Sequence, residues 1–174
     1  MALVVRRERP EDEREISDVV AAAFRDTFVA EFTESIRASA GYVPELTFVA
    51  EEDGRIAGYC MLSYVGLDGG PVDRLLTLTP VAVRPDRQRH GVGSAVVGTA
   101  ISAADERGEP LVLVEGVPAY YPRFGFVSAT ALGIGRPDER IPDQAWLALP
   151  LTAYDQSIRG RVIYPPFFPE PPGA

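Results

Sequence analysis

The chain has 174 residues, 46% hydrophobic and 24% charged, enough for one well-buried domain and short for two. A net charge of -8 argues against nucleic acid as a partner, and no apolar run of about 18 residues suggests a membrane span. Cys60 and His90 are the sole cysteine and histidine, so disulfides, thiolate clusters and histidine zinc sites are excluded and no metal is expected. The opening MALVVRRERPEDE turns charged too early for a secretory signal, and a cytoplasmic protein is the expectation.

Residues 3–8 read as a strand, and Pro10-Glu11-Asp12-Glu13 opens a helix on which Ile16, Val19, Val20, Ala23 and Phe24 recur at helical spacing. Thr33, Glu34, Ile36 and Ser39 suggest a second, short helix ending before Gly41. Strands at 46–51 and 55–64 are joined by Asp53-Gly54, a strong hairpin signal, and 67–73 reads as a loop. The next strand, 75–83, contains Pro80, which has no N–H for a central ladder; a bulge or a parting of strands is expected there.

The main helix is expected over 91–107, with Val92, Ala95, Val96, Ala100 and Ala103 as its buried stripe and Gly108 as its exit. Residues 111–115 form a continuous apolar run of the kind a central or parallel strand shows. A helical turn at 119–123 and strands at 126–132, 145–149 and 161–164 follow. A proline-rich end, 165–174, reads as an extended tail packing one or both of Phe167 and Phe168. This order indicates an α/β (α+β) protein, a mixed sheet with helices on both faces.

The chemistry concentrates between the strand at 75–83 and the main helix. Val81, Ala82, Val83 and Arg84 lead into Arg87, Gln88, Arg89, His90, Gly91, Val92, Gly93 and Ser94. Glycines allow close backbone approach, the N–H groups of an incipient helix converge, and three arginines stand nearby, which together suit a phosphate-bearing ligand. The plainer alternative is a tight turn in which glycine only relieves crowding. All 17 basic residues are arginines, so a Walker-type lysine is excluded, and the Gly91-x-Gly93 spacing does not continue into a dinucleotide fingerprint.

Gln88-Arg89-His90-Gly91-Val92-Gly93 resembles the [Gln/Arg]-x-x-Gly-x-[Gly/Ala] segment that binds acetyl-CoA in the GNAT superfamily of N-acetyltransferases. Pro118-Ala119-Tyr120-Tyr121-Pro122-Arg123-Phe124-Gly125-Phe126 resembles the tyrosine and Gly-Phe signature of the same superfamily. With the Tyr-Pro-Pro-x-Phe run at 164–168, the chain looks most like the YhbS-like acetyltransferases, over residues 3–168.

That resemblance implies a single-domain acyl-CoA N-acyltransferase fold over 1–168, followed by a short proline-rich tail, 169–174. It further implies a mostly antiparallel mixed sheet flanked by helices, with a V-shaped opening between the fourth and fifth strands. The backbone of Val81, Ala82 and Val83 would then line the pantetheine arm of acetyl-CoA. The N–H groups of Arg89, His90, Gly91, Val92, Gly93 and Ser94, with Gln88, would hold the pyrophosphate, and Arg84, Arg87 or Arg89 would meet the remaining phosphates.

The implied activity is direct transfer of the acetyl group to a primary amine in a ternary complex. Counting four residues back from Gly125 gives Tyr121 as the group assisting thiolate departure, with the Val81 N–H facing the thioester carbonyl. Residues 74–84 hold no carboxylate, which leaves Glu115 as the best-placed candidate base, directly or through water, with Glu31 as another end for such a relay. That gap also admits a non-catalytic acetyl-CoA-binding domain as the alternative. The acceptor is expected to be a small molecule or peptide and the protein a monomer or homodimer. Phe28, Glu31, Phe32 and Tyr42 are candidate acceptor contacts, Cys60 reads as a buried small hydrophobe, and Trp146 as packing for the last third of the chain.

Overall fold

The computed structural model describes residues 2–170, so Pro171 to Ala174 of the expected tail lie outside the described residues. The chain folds as two compact units. One holds the residues up to Ser63 together with Thr79–Ala103, and the other holds Tyr64–Leu78 together with the residues from Ala104 on.

In the first unit β1 (Leu3–Arg7) lies antiparallel to β2 (Tyr42–Glu52), in a register running from Leu3 opposite Glu52 to Arg7 opposite Phe48. β2 turns back into β3 (Arg55–Asp68) at Asp53 and Gly54, whose φ angles of 52° and 74° give the two left-handed residues a tight hairpin needs. Both strands are longer than expected. β2 starts before Pro44 because a register shift between Tyr42 and Thr47 absorbs the proline. β3 continues to Asp68, where the expected loop had been placed.

A 3-10 turn at Pro10–Asp12 leads into α1 (Glu13–Phe24), which buries Ile16, Val19 and Val20 but leaves Phe24 45% exposed. α2 (Thr27–Arg37) begins six residues before the expected helix, because the Asp26 side chain accepts the Phe28 N–H at 2.9 Å and caps it. β4 (Arg74–Val83) contains a cis Thr79–Pro80 bond and is followed by α3 (Val92–Glu106). The buried face of α3 is Val92, Val96, Val97, Ala100 and Ala104; Ala95 and Ala103, expected on that face, are only half-buried.

In the second unit β5 (Leu111–Glu115) is parallel to β4 through Leu76 opposite Val112 and Thr77 opposite Leu113, a ladder that precedes the cis bond. The expected strand at 126–132 shrinks to β6 (Val127–Ser128), because the chain coils into a 3-10 turn at Thr130–Leu132 that exits through Gly133 at φ 80°. β7 (Ile134–Gly135) was not anticipated. β8 (Trp146–Pro150) is antiparallel to β5 and also carries β6; β9 (Gly160–Ile163) pairs antiparallel with the end of β3 and parallel with β7. Leu111, Leu113, Ile134, Ile141 and Trp146 form the core here, and the Trp146 indole donates to the Ile134 carbonyl at 3.0 Å. Each such buried side chain is worth about 1.5–3 kcal/mol. Phe168 packs against this core, whereas Phe167 is 38% exposed. Among the described residues no helix is long and apolar enough to cross a membrane.

Candidate active site

β4 ends at Val83 and the chain turns at once. Arg84 N–H reaches the Ala57 carbonyl at 2.8 Å, a 3-10 turn spans Pro85–Arg87, and Gln88 Nε2 donates back to the Val83 carbonyl at 3.2 Å. Arg89 and Gly91 then take left-handed φ angles of 61° and 83°. A side chain at 91 would meet nothing within 4 Å, so this glycine serves backbone conformation and not the relief of crowding. The Gly91 carbonyl accepts the Ala95 N–H at 3.0 Å, which opens α3. The N–H groups of Val92, Gly93 and Ser94 therefore have no partner within the helix and form its positive end. β3 runs directly beneath: a Cβ on Gly58 would come within 2.7 Å of Val92 Cγ1.

The charge around this cradle is smaller than the residue count suggests. Arg84 is bidentate to Asp86 at 2.6 and 3.0 Å, and Arg87 Nη2 bonds Glu52 Oε1 at 2.6 Å. The hydrogen bond with Asp86 is the main cause of a raised Arg84 pKa, and the reciprocal bond holds the Asp86 carboxyl below its ordinary value. Arg89 pairs with no carboxylate among the described residues and is exposed, so it is the arginine available to an incoming anion. His90 is exposed, with Nδ1 2.7 Å from the Gln88 carbonyl. A carbonyl only accepts, so Nδ1 is the donor in this contact. Glu52, which neutralises Arg87, was not identified from the sequence; it lies 35 positions away and only the fold brings it close.

In the second unit β5 delivers Glu115 opposite Trp146, and its carboxylate Oε2 accepts the Tyr164 hydroxyl at 3.3 Å. Protein atoms crowd this carboxyl although the residue remains accessible. That desolvation pushes its pKa up, Tyr164 opposes the shift, and the charge of Asp138 adds to it. Tyr121 opens a 3-10 turn, Tyr121–Phe124, that ends at Gly125 with φ 98°. Its ring is 9% exposed, lies against Gly116, and meets Tyr120 and Phe126 edge to face at 5.0 and 5.5 Å. Tyr120 instead carries the Arg123 guanidinium over its face at 4.3 Å. The fold thus brings Tyr121 to the residue next to Glu115, which the sequence placed five positions away.

Of the expected acceptor contacts, Phe28 and Glu31 are exposed, whereas Phe32 is 8% exposed. The Tyr42 hydroxyl is bound to Glu8, which also accepts Tyr59 at 3.0 Å and Arg37 at 2.9 Å. Burial raises the pKa of both phenols, and the Glu8 charge adds to the effect. Cys60 is buried and desolvation raises its thiol pKa, so it is a packing residue.

Residues 44–128 match the family model of the acetyltransferase (GNAT) domain. The uncharacterized N-acetyltransferase YjhQ of Escherichia coli K12 is 28% identical over 156 residues, 87% of this chain and 86% of that protein. The crystal structure of the GNAT family N-acetyltransferase YhbS from Escherichia coli in complex with CoA matches with a TM-score of 0.85 at 25% identity, covering 95% of this chain and 91% of that one. A GNAT family acetyltransferase from Brucella melitensis in complex with acetyl-CoA matches with a TM-score of 0.78 at 28% identity, covering 97% and 99%. Motif, fold and solved relatives agree: residues 44–128 carry an acetyltransferase (GNAT) domain, and the chain folds as these GNAT N-acetyltransferase relatives do.

Proposed function

We propose that the chain transfers the acetyl group of acetyl-CoA directly to a primary amine, with residues 1–168 acting as one catalytic domain in the cytoplasm. The observation carrying this reading is the left-handed Gly91 at the head of α3. The cradle suits a pyrophosphate on its own terms: a side chain at 91 would meet open space, the first-turn N–H groups have no partner within the helix, and Arg89, two positions before Gly91, pairs with no carboxylate among the described residues. Val81, Ala82 and Val83 would offer backbone groups to the pantetheine arm, and Gln88 through Ser94 would hold the diphosphate. Acetyl-CoA supplies an activated acyl group as a thioester. Arg84 would need to exchange Asp86 for a phosphate to take part.

The protein's own contribution to the chemistry is two proton-handling groups and an oriented N–H. Tyr121, held by packing on Gly116, is the donor to the departing sulfur, a role a phenol hydroxyl can fill. The Val81 N–H polarises the acyl oxygen. Glu115 is the terminal proton acceptor for the ammonium formed, and its raised pKa makes it a better base than a carboxylate of ordinary pKa. Free CoA release, measured against a panel of primary amines, tests the activity. Absence of turnover above background, with acetyl-CoA still bound, would favour a non-catalytic acetyl-CoA-binding domain.

A further inference from the structure

The Tyr164-Pro165-Pro166-Phe167-Phe168 run has no part in the reading above, yet it meets the end of β5. The Tyr164 hydroxyl donates to Glu115 Oε2 at 3.3 Å across 49 positions of sequence. Its ring is fixed from two sides: Phe168 lies 4.6 Å away and tilted, and Trp146 lies 6.4 Å away, edge to face. Phe168 is itself held by a bond from its N–H to the Pro165 carbonyl at 2.9 Å, and two prolines stiffen the turn. Trp146 is also the strand partner of Glu115. One strand pair therefore places the carboxylate and the wall that orients its donor.

We propose that Tyr164 is the positioning residue for the Glu115 carboxylate, holding Oε2 so that Oε1 is left to receive the proton. This rests on the reading of Glu115 as terminal proton acceptor. Tyr164 suits the task because burial, reinforced by the negative charge it faces, raises its own pKa and keeps it a donor while Glu115 titrates. The groups that bear on the Glu115 charge are Tyr164, from the segment after β9, and Asp138, from the segment before β8; its partner on β8 is the uncharged Trp146.

The test uses the full chain labelled with 13C in glutamate carboxyls, the Glu115 resonance being the one lost in Glu115→Gln. Tyr164→Phe keeps the ring and its stacking and removes only the hydroxyl. The expected result is a Glu115 titration midpoint moved to higher pH. Acetyl transfer to the best primary amine of the panel should fall about fivefold, the size of one net hydrogen bond, with an unchanged KM for acetyl-CoA. No further loss is expected when Tyr164→Phe is added to Glu115→Gln. An unmoved midpoint, or the same loss in the Glu115→Gln background, overturns the proposal and leaves the Glu115 reading standing. Wild-type turnover in Glu115→Gln alone overturns that reading, and the proposal with it.

Discussion

The ring of Tyr121 lies across Gly116 so closely that a Cβ built at 116 would come 2.8 Å from ring atom Cδ2 and overlap its neighbour Cε2. Gly116→Ala therefore has to push the phenol out of its seat. The overpacking should cost about 1–3 kcal/mol, read as a melting temperature lower by about 2–4 °C per kcal/mol. Turnover should fall further than stability accounts for, and a displaced Tyr121 should be visible in a crystal structure of the variant.

Tyr121→Phe keeps the packing and removes the acid. Turnover is expected to drop about a hundredfold with acetyl-CoA affinity unchanged, as measured by steady-state kinetics beside calorimetric binding. Tyr120→Phe, whose ring serves Arg123, should leave turnover near wild type.

What the sequence made legible was local chemistry. Asp53-Gly54 can hardly do anything but turn, and Gly91 before an apolar helical stripe marks the turn into a helix. The run at 111–115 was readable because a strand covered on both faces has no polar alternation to confuse. The structure departs from the sequence pattern where the deciding contact is distant or a side chain caps a helix. Asp26 starts α2 through its side chain, the coil at Thr130–Leu132 cuts short a run that looked like strand, and the proline at 44 hid the first third of β2. In the candidate site, the bonds of Arg87 to Glu52 and of Tyr164 to Glu115 join positions 35 and 49 apart, and only tertiary structure reveals them.

Gly91 tests the donor half of the site. Alanine there meets no neighbour but must adopt φ 83°, a strain of about 1–2 kcal/mol, so acetyl-CoA should bind about tenfold more weakly in a calorimetric titration. Gly91→Asn should recover much of that loss, since asparagine tolerates the left-handed region. Equal losses for the two variants would mean that the side chain, and not the backbone, obstructs the ligand.

Glu8 joins Arg37, Tyr42 and Tyr59 in a network whose Arg37 and Glu8 side chains are 10% and 6% exposed. Glu8→Gln leaves the guanidinium without its full counter-charge and should destabilise the protein by about 3 kcal/mol in urea unfolding. Arg37→Met in the same background should restore part of that loss.

Two carboxylates give opposite pH responses. The Asp12 pKa is lowered chiefly by its paired hydrogen bonds with Arg6 at 2.7 and 3.0 Å, so its contribution is complete at neutral pH and lost as pH falls through its depressed folded value. Glu115, raised by desolvation, weakens the fold as it ionises, so its effect on stability worsens as pH rises. Asp12→Asn should flatten the acid limb of the stability profile. Glu115→Gln should raise the melting temperature at neutral pH while lowering turnover, the trade expected where a charge is kept for chemistry.

Trp146 is the chain's single tryptophan, wholly buried and in contact with the Tyr164 ring. Intrinsic fluorescence excited at the indole band is thus a private spectroscopic channel into the second unit. Its emission should be blue-shifted in the native state and answer to rearrangement of the segment around Tyr164. An unfolding curve followed by this signal alone can therefore be set against one followed by circular dichroism, to ask whether the two units melt together.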